Sequence, residues 1–216
     1  MDISKRLHFK KVAKGFSLVE LLVVISIMVL LLGVGSIGLL QNNSGKGLNS
    51  SLATVESLLS SARNLAVAKE TNARLIINDD PSDVENYRRQ MVVVYEDPDP
   101  TVAAGTWVRA SRPTRLASGT FVESGLSVTT MTGIGTLGTD TGMTFTRNVV
   151  ANCVYVEFNQ VGVCKQQNAT NAGATLVLVN GRFNGTNIVV SNNEKAALAI
   201  WRNGTSTRVT DPSTIN

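Results

Sequence analysis

Histidine is all but missing from the 216-residue chain: the one imidazole, His8, sits in the first fifteen residues and none comes after it. Beyond that stretch neither a Ser-His nor a Cys-His nucleophile can be assembled, and no Gly-rich loop follows a strand in the way a phosphate cradle requires. Cysteine is nearly as scarce, with only Cys153 and Cys164. Two thiols without a histidine fall short of a tetrahedral zinc site. The pattern is not that of an enzyme, and no catalytic residue, cofactor or zinc ligand set is expected. A lasting excess of positive charge is also lacking. The chain has 20 basic and 16 acidic side chains, but Lys5, Arg6, Lys10, Lys11 and Lys14 face only Asp2 in the first fifteen residues. The rest of the chain carries 15 of each. Binding nucleic acid through bulk charge is therefore not what this composition describes, and only local patches stay open.

Charge and proline are both missing where apolar residues are densest. From Phe16 to Leu40 the only charged side chain is Glu20, and no proline interrupts the run. Twenty-five residues at about 1.5 Å each make a helix of roughly 37 Å, enough to cross a hydrocarbon core of about 30 Å with some tilt. A membrane-spanning helix is expected over 16–40, with the basic first fifteen residues held in the cytoplasm and everything after Leu40 exported. Gly33, Gly35 and Gly38 either soften the second half of that helix or let it pack closely against a neighbour. An ionised carboxylate five residues into such a run costs about 2.5–3.5 kcal/mol on insertion scales, so Glu20 needs a partner. A secretory signal places its cleavage site after the apolar region; here the leader-like boundary Lys14-Gly15-Phe16 precedes it, so cutting there keeps the helix.

The residues Gly15-Phe16-Ser17-Leu18-Val19-Glu20 closely resemble the processing motif of type IV prepilins and type II secretion pseudopilins. The resemblance implies cleavage after Gly15 by a prepilin peptidase that also N-methylates Phe16. It further implies that Glu20 meets the terminal amine of a neighbouring subunit during assembly. The partners it implies are that peptidase and methyltransferase, other pilin or pseudopilin subunits, the inner membrane and an inner-membrane assembly platform. The single-pass precursor would sit in the inner membrane with its C-terminal domain periplasmic or extracellular, and enter a pilus or pseudopilus on assembly.

Downstream, Leu48, Leu52, Val55, Leu58, Leu59, Ala62, Leu65 and Ala66 recur at helical spacing, which predicts an amphipathic helix running to about Glu70. From Ala73 the pattern changes to short β-type runs: 74–78, 90–96, 107–112, 120–123, 153–159, 175–179, 186–190, 196–201 and 205–210. Asn180-Gly181, Asn184-Gly185 and Asn203-Gly204 predict tight turns. The fold class is α+β, a long N-terminal helix packed on an antiparallel sheet domain. Its organisation is a leader over 1–15, an assembly helix over 16–40, an amphipathic helix over 41–72 and a sheet domain over 73–216. The segments SLLSSARNLAVAKETNARLII, TWVRASRPTRLASGTFVE, VEFNQVG and AIWRNGTSTRV carry a second resemblance, to the minor pseudopilins that include GspH and FimT. The Gly/Thr-rich stretch 124–146 reads as an exposed loop or poorly specified edge strands.

Three local features keep two readings each. On the outer side of a membrane Cys153 and Cys164 can oxidise to a disulfide, or stay as two buried thiols. If Asn159 to Gly162 make a tight turn, Cys164 falls opposite Glu157, and a bridge needs an irregular hairpin. Asp79, Asp80, Asp83 and Glu85, or Asp97 and Asp99, are solvated loop residues or calcium ligands of the kind some pseudopilin loops provide; neither set has EF-hand spacing. Arg109, Arg112 and Arg115, with Arg88 and Arg89, are dispersed solubilising charges or a DNA-contacting surface. Two functions remain open: a structural subunit of a pilus or secretion pseudopilus, or a ligand-binding minor pilin whose exported domain captures DNA or a surface.

Overall fold

A computed structural model describes residues 17–41, 43–101, 103–128, 135–146, 149–165 and 173–215. The chain divides into two compact units, Met1–Asn43 and Ser44–Asn216. The first contains α1, Leu18–Gln41. Among the described residues no helix is long and apolar enough to cross a membrane. Side chains of α1 are described only as far as Val29, so the membrane-spanning expectation continues to rest on the sequence.

The second unit is built on α2, Asn43–Lys69. Leu48, Leu52, Val55, Leu59, Ala62 and Ala66 succeed one another at steps of three or four residues, fall on one face and are all buried. Leu58 and Leu65 flank that stripe and are partly buried against it. The helix ends on Glu70, whose φ of 52° is the left-handed conformation glycine usually supplies. Thr71 N–H donates to Ala66 O at 3.1 Å and Glu70 N–H to Val67 O at 3.3 Å, the paired hydrogen bonds of a Schellman stop.

The apolar stripe of α2 lies on two sheets rather than the single sheet expected. One contains β1 (Ala73–Asn78), β2 (Gln90–Glu96), β3 (Trp107–Arg109), β4 (Thr114–Arg115), β6 (Gly138–Thr146), β7 (Val149–Phe158) and β8 (Cys164–Lys165). Its main path is β3-β2-β1-β7-β6, with β4 on β2 and β8 on β7. The other contains β5 (Thr120–Glu123), β9 (Gly173–Phe183), β10 (Ile188–Trp201) and β11 (Ser206–Val209), in the order β11-β10-β9-β5. Every strand pairing is antiparallel. Period-two alternation sends Leu75, Ile77, Val154, Val156, Leu176, Leu178, Leu198 and Ile200 into one core with the helix. The other faces bury smaller clusters: Ile76, Val92, Val94, Met143, Cys153 and Tyr155 on the first sheet, and Phe121, Val128, Val177, Val179, Ala197 and Ile215 on the second. Over the latter the chain end bridges back, Val128 to Ile215.

Several expected elements change. The run 107–112 stops at Arg109 because Ala110 and Ser111 both donate to Val93 O, and the chain rejoins β2 only at Thr114. Asn180-Gly181 is no turn: both residues lie inside β9, where a Cβ on Gly181 would collide with Val189 O. The runs 186–190 and 196–201 form one strand, β10, with a register shift between Val190 and Lys195. Part of the Gly/Thr-rich stretch is strand β6, at the edge of its sheet; residues 129–134 lie outside the described set.

Candidate functional site

Ser17 starts α1. Its Oγ accepts from Glu20 N–H at 3.2 Å and its carbonyl accepts from Leu21 N–H at 3.2 Å, so Ser17 is the N-cap and Glu20 the third helical residue. Ser-x-x-Glu is the capping-box spacing, a signal the motif reading passed over, and an acid in the first turn also suits the helix dipole. Around it Leu18, Val19, Leu21, Leu22, Val23, Val24, Ile25, Ile27, Met28 and Val29 are all exposed. Apolar side chains thus point outward on every side of the described part of α1, as on a helix that meets lipid or other helices. Gly15 and Phe16 lie outside the described residues.

The basic residues of the sheet domain are engaged to different degrees. Arg74, which no motif singles out, is the most engaged. Its Nε donates to Glu157 at 2.7 Å and its Nη1 to Asp140 at 2.7 Å, while its guanidinium lies 4.1 Å from the Trp107 ring centroid and 4.0 Å from that of Tyr155. Arg88, held at φ 50°, donates to Asp79 at 2.6 Å and Glu123 at 2.8 Å, tying the β1–β2 loop to β5. Burial pulls the Arg88 pKa down, but the bond to Asp79 and the charges of Asp79 and Glu123 outweigh it, leaving the group above its ordinary value. Arg89 is shifted down, first by burial and then by neighbouring Arg115, and its buried Nε has no hydrogen-bond partner among the described residues. Arg109 and Arg112 are exposed; Arg115 pairs with Glu85 at 2.6 Å and donates to Asn86 Oδ1 at 2.6 Å.

The acidic loops are likewise engaged internally. Asp83 accepts from the side chains of Asn78 and Asn86, Asp80 from Ser82, and Asp99 from Thr101. Among the described residues no three His, Cys, Asp or Glu side chains converge as a metal site, and the calcium alternative finds no ligand set there.

The two cysteines are free and buried. Cys164 pairs across from Phe158, while Cys153 lies five residues back along β7, about 17 Å away along the strand. A disulfide needs Cα atoms within about 7 Å, so the Cys153–Cys164 bridge does not form. The odd separation also sends Cys153 into the outer cluster and Cys164 into the helix-facing core. Burial pushes both thiols up to about 12.

A family profile, the prokaryotic N-terminal methylation motif, matches residues 10–36. That stretch of the chain carries a motif of the type IV pilin and type II secretion pseudopilin kind. Among solved structures it is similar to the minor pseudopilin EpsH from the Type 2 Secretion System of Vibrio cholerae, at 12% identity and a TM-score of 0.41, covering 76% of this chain and 96% of that one. A second structure of that EpsH protein gives 13% identity and a TM-score of 0.40, covering 78% and 96%. No curated protein matches the chain at a significant level.

Proposed function

We propose that the chain is a structural subunit, of the GspH and FimT kind, of a type IV pilus or type II secretion pseudopilus. It is made as an inner-membrane precursor, cut after Gly15, methylated at Phe16 and polymerised through α1. The observation that carries this reading is the methylation motif over residues 10–36, with Gly15 at the cut and Glu20 at the family's spacing. The outward apolar side chains of α1 supply the surface that lipid covers in the precursor and neighbouring helices cover in a filament.

In the precursor, water reaching the carboxylate near the end of the span relieves the cost of Glu20. After cleavage, the new terminal ammonium of a neighbouring Phe16 offers it a charge-assisted hydrogen bond. Glu20 then favours assembly rather than folding. Glu20→Val should leave membrane insertion intact or improved and the sheet domain folded, and should deplete the chain from sheared filaments. Peptidase cleavage, membrane fractionation and co-purification with filaments are compared for variant and parent. Normal incorporation of the variant would remove Glu20 as the assembly determinant.

A further inference from the structure

Asn-Gly occurs three times in the chain, at 180–181, 184–185 and 203–204. Such a pair carries its own nucleophile and electrophile: the glycine nitrogen reaches the asparagine Cγ through a five-membered ring, and glycine has no side chain to obstruct the closure. In a folded protein the outcome depends on what holds the attacking nitrogen, what holds the amide and how tightly the backbone is packed. The three pairs differ in these respects.

At Asn180 the chain is locked. Both residues lie inside β9, Gly181 N–H donates to Gly119 O at 2.8 Å, and Asn180 Nδ2 donates to Glu194 at 2.8 Å. A Cβ on Gly181 would collide with Val189 O, so the backbone has no room to swing. At Asn203 the amide oxygen accepts from Thr205 N–H at 3.1 Å, but the nucleophile, Gly204 N–H, is engaged by Trp201 O at 2.8 Å. That turn is packed as well, because a Cβ on Gly204 would collide with Gly162 O and the Arg63 side chain.

Asn184 is placed otherwise. With Gly185, Thr186 and Asn187 it forms the exposed tip of the β9–β10 hairpin, closed by Asn184 N–H to Asn187 O at 3.1 Å. Thr186 N–H and Asn187 N–H both donate to Asn184 Oδ1, at 3.0 and 2.8 Å. Two donors on that oxygen draw electrons from Cγ and already face the negative charge that builds there when a nucleophile adds, as in an oxyanion hole. Gly185 N–H has no acceptor among the described residues, and beyond its chain neighbours nothing lies within 4 Å of where a Cβ on Gly185 would be. The electrophile is polarised and the nucleophile is free.

We propose that Asn184-Gly185 is a self-modifying site, at which Asn184 converts to aspartate and isoaspartate with water as the only co-reactant. The Gly185 nitrogen gives its proton to solvent and bonds to Cγ, while the Cγ–Nδ2 bond breaks and the amide nitrogen leaves as ammonia. Water then opens the cyclic imide at either carbonyl. One opening restores the original backbone with an aspartate side chain; the other routes the backbone through Cβ and Cγ. Nothing is oxidised or reduced. Aspartate keeps both N–H donors, now on a charged oxygen. Isoaspartate lengthens the backbone by one carbon next to Phe183, whose ring packs on Tyr87 at 4.4 Å between centroids.

The test follows full-length chain in mild detergent at weakly alkaline pH, in water enriched in heavy oxygen, by peptide mapping and mass spectrometry. Position 184 should convert at least tenfold faster than 180 and 203, take up one solvent oxygen and yield both isomers. In urea the three pairs should converge to within a few-fold, and the folded rate at 184 should be no lower than its rate there. Asn184→Gln, which would need a larger ring, should abolish the new acidic species and leave the slow conversion at the other two pairs unchanged. Conversion at 180 or 203 as fast as at 184 in the folded chain would overturn the proposal. So would a folded rate at 184 tenfold below its rate in urea, or aspartate without isoaspartate, which is direct hydrolysis of the amide.

Discussion

Replacing Arg74 with methionine should cost the sheet domain about 3–5 kcal/mol, the range found when one partner of a buried ion pair is removed. Arg74 and Glu157 have side chains only 13% and 8% exposed, so the carboxylate left behind is nearly shut off from water. Its remaining partner is Lys165 Nζ at 3.4 Å, on a side chain 64% exposed and therefore well screened. Asp140, at 34% exposure, can rehydrate and adds little. Methionine keeps most of the apolar stem between Trp107 and Tyr155 but loses the attraction of the cation for both rings, worth about 1 kcal/mol or somewhat more. If the cost is the orphaned charge, Arg74→Met combined with Glu157→Gln should recover about 1–2 kcal/mol, a non-additivity expected of groups in one network. The assay is urea unfolding followed by tryptophan fluorescence, since Trp107 lies against the guanidinium. A loss below about 1 kcal/mol for Arg74→Met, or a double variant as unstable as the sum of its singles, would refute the argument.

Burial sets two further outcomes. Cys153 and Cys164 should resist thiol reagents at pH 8 until the chain is unfolded, and labelling at the rate of a free cysteine in the native protein would contradict their placement. Their folded-state values, about 12, lie above the ordinary 9.0, so this contribution is intact below pH 9 and lost as pH rises from there toward 12. Urea midpoints measured across that window should fall with pH in the parent and fall less in a Cys153→Val, Cys164→Val double variant. Gly138→Ala should cost about 1–3 kcal/mol by overpacking, because its Cβ would collide with the Tyr155 ring; a neutral effect in the same unfolding assay would show that the ring yields freely.

Most of the helix was legible from its own spacing, since Leu48 to Ala66 bury as one stripe whatever they pack against. Strands 90–96 and 120–123 were equally clear, being short apolar runs between turn residues. Tertiary contact decided what was not. Gly181 looked like half of a turn, yet the glycine is required for the approach of β10, a contact no local pattern reports. That the runs divide between two sheets depends on which edges pair, and nothing in the alternation of apolar residues states it. The Arg74 cluster was hidden because Asp140, Glu157 and Trp107 are far apart in sequence and Asp140 lies in a stretch without alternation. The disulfide alternative failed on register, which put Cys164 opposite Phe158. At the N-terminus the residues Gly15 to Glu20 fall inside the profile match over 10–36, and a motif local to six residues can be read without knowing the fold.

The central claim, that this is a processed filament subunit, is tested most directly by the intact mass of the chain isolated from membranes of cells with an active prepilin peptidase. The account predicts the loss of residues 1–15 and a new terminus at Phe16 bearing one methyl group, with Gly15→Val retaining the leader. A full-length mass for the parent in those cells, or a cut that removes Glu20 and the helix after it, would contradict it.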